Sequence, residues 1–369
     1  MAASGVSPHG RLRPARRVRS LGDGNPDIAT LKSPANKVGA IRLDAPRMLA
    51  MYTQMVRSRT LDERVWLLNR QGKVALMSSA QGHEAAQIAT VHALRPGQDW
   101  FYTYYRDLAV VVALGVPFKE IMLGYMAKAG EPFSGARQFP CHGAYPKYHI
   151  VNPSNVVGTR IPQAVGAALA AKMRREGTVV IVYFGDGAAS TGDCHEGMNF
   201  AAIHKLPVVF FCENNRYAIS VPLSKQIAVS NVAARAEGYG MPGLTVDGTD
   251  VAAAYEATAE AAAKARAGHG PTLIEAMVER ALPHTSDDDD RKYRSREEME
   301  EVKRRDPLPI LKRQLEAIGV LNVELDARIC EAAKREVDEA TEFGEAAPYP
   351  TTEGFYDHVY APQGGAPSP

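Results

Sequence analysis

Three apolar runs constrain this chain more than any other feature: TVVIVYF at 178–184, PVVFFC at 207–212 and PTLIEAMVE at 271–279. The first two are apolar over a strand's length, which predicts strands buried on both faces, and the third, interrupted by Glu275, reads as a further strand. Helical patterns separate them. IPQAVGAALAAKMRR precedes the first, HEGMNFAAIHK lies between the first and second, and NVAARAEGYG and the alanine-rich VAAAYEATAEAAAKARAG precede the third, flanking a shorter strand, GLTVDG. Apolar strands alternating with helices predict an α/β fold whose mainly parallel sheet carries helices on both faces. No internal repeat is present.

The flanks read differently. From about Ala45 to Leu68 apolar residues recur at helical spacing, GHEAAQIATVHAL reads as a second helix, and DLAVVVALGVPFKEIMLGYM continues the pattern. Gly and Pro then thicken between Gly130 and Gly158, predicting a long irregular stretch of the kind that carries function. After Asp306-Pro307 only helical pattern remains, so the C-terminal region is expected to be helical.

Bulk properties exclude several classes. The 369 residues are 45% apolar and 23% charged with a net charge of +1, as in a soluble globular protein with no general attraction to nucleic acid or a membrane surface. No apolar run approaches the roughly 20 residues that span a bilayer. Cys141, Cys194, Cys212 and Cys330 are scattered with no CxxC pair, so neither a zinc site nor a disulfide framework is expected, and the chain reads as cytoplasmic. Residues 1–37 differ from the rest and are expected to form a disordered arm: GRLRPARRVRS holds five arginines, and no acid precedes Asp23. Such a start would instead place the protein in the mitochondrial matrix if it acts as a transit peptide. The body is expected at 38–345 and a loose tail at 346–369.

In a parallel sheet the binding crevice lies beyond the carboxyl ends of the strands. Two polar clusters fall there: GDGAAS after the first run and ENNRYA after the second. Gly185 and Gly187 flank Asp186 and allow a tight turn with close backbone approach to a ligand. Asn215 follows Asp186 by twenty-nine residues, one strand–helix–strand unit, so a neighbouring parallel strand would set its amide oxygen beside the carboxylate. One carboxylate, one amide oxygen and a backbone carbonyl suit Mg²⁺, which takes its other positions from phosphate and water. Alone, GDG is a common turn; with NN at this spacing it points to a diphosphate.

GDG followed by NN resembles the metal–diphosphate motif of thiamine diphosphate enzymes. TYYRD, GTRIPQAVGAA, YFGDGAASTGDCHEGMNFAA, FFCENNRYAISVP and LPHTSDDDDRKYRSREE occur in that order. Together they resemble the alpha chain of the decarboxylating component of 2-oxoacid dehydrogenase complexes, most closely its branched-chain members, over about residues 45–360. The resemblance implies a three-layer thiamine-diphosphate-binding fold at 38–345. It implies Asp186, Asn215 and the Tyr217 carbonyl as Mg²⁺ ligands, with Gly185, Gly187 and Ala188 at the diphosphate. It implies Tyr105 and Arg106 gripping that group from the far side, Asn155 and Val157 beneath the cofactor, and His284 as the active-site histidine on a mobile loop. It further implies a beta chain carrying the missing glutamate in a two-alpha, two-beta assembly, a lipoyl-bearing acyltransferase component, and a small 2-oxo acid as substrate.

Some residues depart from that pattern. Glu213 stands where branched-chain relatives can carry a phosphate-binding arginine, so no such contact falls to it. Arg160 stands at a potassium site of some relatives, so K⁺ is not expected. Thr285 replaces a phosphorylated serine of animal relatives. Three other readings compete: a pyruvate or acetoin enzyme with the same residues, a nucleotide-binding dehydrogenase, which lacks any GxGxxG after a strand, and a cation-binding module built on SDDDD. That last run lacks the alternation and glycine of an EF-hand loop and is expected to pair with RKYRSR.

Overall fold

The computed structural model describes residues 43–357 and 359. The Arg-rich arm at 1–37 and the remainder of the tail lie outside the described residues. In chain order the first elements are α1 (Ala45–Arg70), α2 (Glu84–Ala93), β1 (Trp100–Tyr102), α3 (Leu108–Ala113) and α4 (Phe118–Tyr125). Next come β2 (Gly143–Tyr145), β3 (Ile150–Asn152), α5 (Arg160–Arg174), β4 (Val180–Gly185), α6 (Gly192–Ile203) and β5 (Val208–Asn214). A small hairpin, β6 (Tyr217–Ala218) with β7 (Val221–Pro222), precedes β8 (Gly243–Asp247), α7 (Val251–Arg266) and β9 (Thr272–Met277). Then α8 (Arg296–Arg304), α9 (Pro307–Ala317) and α10 (Val323–Ala346) give the helical C-terminal region.

Seven strands form one sheet in the order β2-β3-β1-β4-β5-β9-β8. Every neighbouring pair is parallel except β2 with β3. The apolar runs divide their side chains by alternation. Val180, Val182 and Phe184 of β4 join Val208, Phe210 and Cys212 of β5 on one face. Val179, Ile181 and Tyr183 join Val209 and Phe211 on the other. Burial of each such side chain contributes roughly 1.5–3 kcal/mol, so the two central strands are the most firmly held part of the sheet. Helices α5 and α6 cover the first face, while α1, α2, α3 and α7 lie on the other side. This is the three-layer arrangement that the alternation predicts.

Local chemistry sets the helix ends. Asp44 caps α1 by accepting from the Arg47 amide at 2.8 Å, with Pro46 in the first turn, and Asn322 caps α10 through Leu325 at 2.8 Å. The structure differs from the sequence expectation in three places. NVAARAEGYG forms a 3₁₀ stretch, Ala233–Tyr239, rather than an α-helix: Glu275 accepts the first amides, Val232 at 3.0 Å and Ala233 at 2.9 Å, and Gly238 within the last turn and Gly240 just after it loosen the end. The strands β1, β2 and β3, the last two inside the irregular stretch, are three residues each, too short to show a period. Helix α8 buries only Val302, so its REEMEEVKR sequence carries no apolar stripe.

Candidate functional site

Register places the two polar clusters together. Strands β4 and β5 are neighbours, and Gly185 stands opposite Glu213. Asp186 therefore leaves β4 beside the residues that end β5. Its carboxylate is buried, and one oxygen, Oδ2, accepts from Gln226 Nε2 at 2.8 Å. Burial pushes the Asp186 carboxyl up to about 6, with the bond from Gln226 opposing the rise. Gly187 opens a short 3₁₀ turn through Ala188. A Cβ on Gly187 would lie 2.7 Å from that of Ala218, so glycine is required here by the β6–β7 hairpin lying across the turn.

The two asparagines do different work. Asn214 donates to Glu275 Oε1 at 2.6 Å and accepts from the Arg216 amide at 2.8 Å. It thereby holds a turn in which Arg216 and Ile219 both have left-handed φ, a conformation costing about 1–3 kcal/mol at a non-glycine residue. Arg216 is fixed further by its ion pair with Glu279 at 3.0 Å. Asn215 is nearly buried; its Oδ1 accepts from the Tyr217 amide at 3.3 Å and its Nδ2 faces His83 Nε2 at 3.3 Å. The Tyr217 phenol points away to Glu298 at 3.0 Å, leaving its backbone to the hairpin.

A second group assembles from distant segments. Arg106, just past β1, is buried and donates to the Ser79 carbonyl at 2.6 Å and the His284 carbonyl at 3.1 Å. The same guanidinium meets His284 Nδ1 at 3.3 Å and lies 5.5 Å from the Tyr105 ring centre, while Tyr105 sets its edge against the His284 ring at 5.7 Å. Burial, then the charges of Arg106 and Arg280, hold His284 down to about 4. The imidazole is neutral near pH 7. With Nδ1 accepting from Arg106, the proton resides on Nε2.

Arg280 is the residue the sequence reading missed. It is fully buried among the Tyr217 and Tyr293 rings, and its Nη2 donates to the Ile219 carbonyl and the Tyr293 hydroxyl at 2.9 Å each. Its Nε and Nη1 have no partner among the described residues. The signal was available: Arg280 follows the carboxyl end of β9, where the strand-end rule already applied. Gln226 gave no such signal.

The remaining expected residues lie on the segment before α5. Asn155 and Val157 are exposed, Val157 by 46%. Gly158, at φ +86°, brings this segment against Thr191, where a Cβ would be 2.3 Å from the hydroxyl oxygen. Arg160 supplies a buried cation of its own, bonding the Ser154 carbonyl at 2.7 Å. The segment 282–294, expected as a mobile loop, carries polar ties: the Ser286 amide donates to the Met77 carbonyl at 2.9 Å, and Arg294 to the Arg280 carbonyl at 2.7 Å. Its acids do pair with the following arginines, Asp289 with Arg291 at 2.7 Å and Asp290 with Arg294 at 3.6 Å. Among the described residues no three His, Cys, Asp or Glu side chains cluster as metal ligands, as the competing cation-module reading would require.

A family model described as the dehydrogenase E1 component matches residues 52–353. The chain belongs to the dehydrogenase E1 component family. It is 48% identical over 88% of its length, and 99% of the other protein, to the 2-oxoisovalerate dehydrogenase subunit alpha of Bacillus subtilis. It is 40% identical to the 3-methyl-2-oxobutanoate dehydrogenase subunit alpha of Mycobacterium tuberculosis, covering 84% of this chain and 82% of that one. The pyruvate dehydrogenase E1 component subunit alpha of Staphylococcus aureus is 39% identical, over 80% and 77%. Membership in the E1 family implies thiamine diphosphate as cofactor, with a beta partner and an acyltransferase component.

Proposed function

We propose that the chain is the alpha subunit of a branched-chain 2-oxoacid dehydrogenase, decarboxylating acids such as 3-methyl-2-oxobutanoate and passing the acyl group to a lipoyl arm. The observation that carries this reading is the juxtaposition, at adjacent strand ends, of the buried Asp186 carboxylate and the Asn215 amide. The residues fit an anionic cofactor held through a divalent cation. Among the described residues, Arg280 keeps two buried N–H-bearing nitrogens without partners, and Gln226 Oε1 is a buried acceptor without one. Such groups cost about 1–3 kcal/mol each if left unmade. A diphosphate and cation-bound water would supply what they lack.

Asp186, the Asn215 amide oxygen and the Tyr217 carbonyl would hold Mg²⁺, whose hard-ligand preference they meet. Gly185, Gly187 and Ala188 would present backbone to the diphosphate, and Arg106 with Arg280 would balance its charge. Asn155 and Val157 would line the floor. Thiamine diphosphate, when bound, supplies the electron sink that lets a 2-oxo acid lose CO₂. His284 would offer its Nε2 proton to the reacting substrate oxygen, and the 282–294 segment would exclude water. No carboxylate of this chain is assigned to the cofactor's pyrimidine; that group would come from the beta chain in a two-alpha, two-beta assembly. Met173 on α5 and Ile203 on α6 are exposed by 75% and 66%, as suits a partner-covered face.

The test is to purify this chain alone and with its beta chain, then compare CO₂ release from 3-methyl-2-oxobutanoate, pyruvate and acetoin. The isolated chain should be inactive, and the assembly should have its highest kcat/KM on the branched-chain acid. A preference for pyruvate or acetoin would overturn the substrate class. Activity from the isolated chain would overturn the shared site.

A further inference from the structure

Glu213 is the least expected residue of the strand-end cluster: a carboxylate fully buried inside a strand with no Lys or Arg side chain bonded to it among the described residues. Its Oε2 is nonetheless heavily used. It meets His83 Nδ1 at 2.6 Å, and accepts from Gln87 Nε2 at 2.9 Å and the Tyr104 hydroxyl at 3.0 Å. His83, just before α2, is also fully buried, and its other nitrogen faces the Asn215 amide nitrogen at 3.3 Å.

These contacts admit one arrangement of protons. An amide nitrogen can only donate, so His83 Nε2 must be the acceptor in its contact with Asn215. Nδ1 then carries the ring proton and donates it to Glu213, the pairing that fixes a histidine tautomer elsewhere. An independent contact agrees: the Tyr217 amide donates to Asn215 Oδ1 at 3.3 Å, which identifies that atom as the oxygen. With the nitrogen turned to His83, the oxygen is held on the opposite side of the amide.

We propose that Glu213 and His83 form a positioning pair that locks the Asn215 amide with its oxygen toward the cation. This rests on the cation role proposed above for Asp186 and Asn215. Neither Glu213 nor His83 touches the cation, so neither is catalytic. Their effect passes through one atom, Asn215 Oδ1. The pair also explains why the strand ends in a carboxylate: an apolar residue there would leave the His83 tautomer without its acceptor and the Asn215 amide held by the Tyr217 N–H alone.

The test uses the assembled two-chain enzyme and reads the Mg²⁺ concentration that gives half-maximal thiamine diphosphate binding by calorimetry. His83→Leu removes the acceptor and should raise that concentration by roughly 10- to 100-fold, the usual effect of losing an outer partner. His83→Gln can donate to Glu213 and accept from Asn215, and should stay near the parent value. In an Asn215→Asp background both side-chain atoms are oxygens, so orientation no longer matters and His83→Leu should lose its effect. A purely structural pair would lower the melting temperature without this pattern. An unchanged Mg²⁺ requirement in His83→Leu, or an equal shift in the Asn215→Asp background, would overturn the proposal. If His83→Leu fails to assemble, His83→Met takes its place; failure of both while His83→Gln assembles would assign the pair to the core and overturn it too. Asp186→Asn is the control. If it leaves cofactor binding unchanged, the cation reading itself has failed; if it weakens binding and the His83 series does not respond, only the positioning pair has failed.

Discussion

The two halves of the site are built by different means. Asp186 and Asn215 follow two strands whose side chains are buried on both faces, and backbone register alone brings them together. His284 is placed by side chains: Arg106 reaches it from 178 residues away, and Ser286 bonds Met77 across 209. The first half costs nothing extra to order, because the sheet core already fixes it. The second depends on a few polar ties whose net worth is about 0.5–3 kcal/mol each. Half of the site is therefore expected to be rigid and the other half to open first.

The comparison breaks most severely at Asp186. Asp186→Asn replaces a charged hard ligand with a neutral one, so cation-dependent cofactor binding should weaken by more than the roughly 10- to 100-fold typical of an outer partner. The fold should hold, since burial already penalises the charged form of this side chain. Calorimetry of the assembled enzyme with and without Mg²⁺ checks it, and undiminished binding would remove the metal assignment. Asn215→Ala should behave alike. Next in size is Arg280→Met, which removes the buried cation with unbonded nitrogens. Charged hydrogen bonds contribute roughly 1.5–3 kcal/mol, so cofactor affinity should fall about 10- to 100-fold. An unchanged Kd would show that Arg280 serves only the Tyr217 and Tyr293 rings.

How much of this was legible follows the same division. The sheet core, the adjacency of the GDG and NN turns, and the C-terminal helices come from hydrophobic patterning, which a single sequence displays. Strands of three residues display no period, so β1 to β3 were invisible as strands. The role of Asn214 as a brace was readable because a buried amide at a strand end must find partners. Arg280 could be found from its place after the β9 strand end, but Gln226 and His83 act through contacts between segments 40 and 132 residues apart, and no local pattern encodes them. Glu213 was visible and uninterpretable, because its partners are three side chains from two other segments.

A smaller effect sharpens the rigid half. Asn214→Ala leaves the Arg216 turn without its acceptor and removes one of the donors to Glu275, which keeps those from Val232 and Ala233. Thermal or denaturant unfolding should show a loss of about 1–3 kcal/mol, together with weaker cofactor binding, because Asn215 rides on the same turn. Lost affinity at full stability would mean that Asn214 contacts the ligand directly.

The smallest effect belongs to the loop half and is a matter of pH. His284 is held down to about 4, first by burial and then by Arg106 and Arg280, whereas an exposed histidine titrates near 6.5. Between those values the open loop binds a proton that the closed loop does not, so closure is favoured fully above about 6.5 and is lost as pH falls toward 4. Hydrogen-exchange protection of residues 282–294, corrected for intrinsic rates, should fall by at most about tenfold per pH unit through that window. Protection at the ends of β4 and β5 should not follow it. Adding thiamine diphosphate with Mg²⁺ brings negative charge to Arg106 and Arg280, which raises the histidine's affinity for a proton and flattens the slope while raising protection throughout. His284→Asn should abolish the slope. A loop whose protection is flat from pH 6.5 to 4 without cofactor would mean that His284 does not gate the segment, and that Ser286 and Arg294 alone hold it closed.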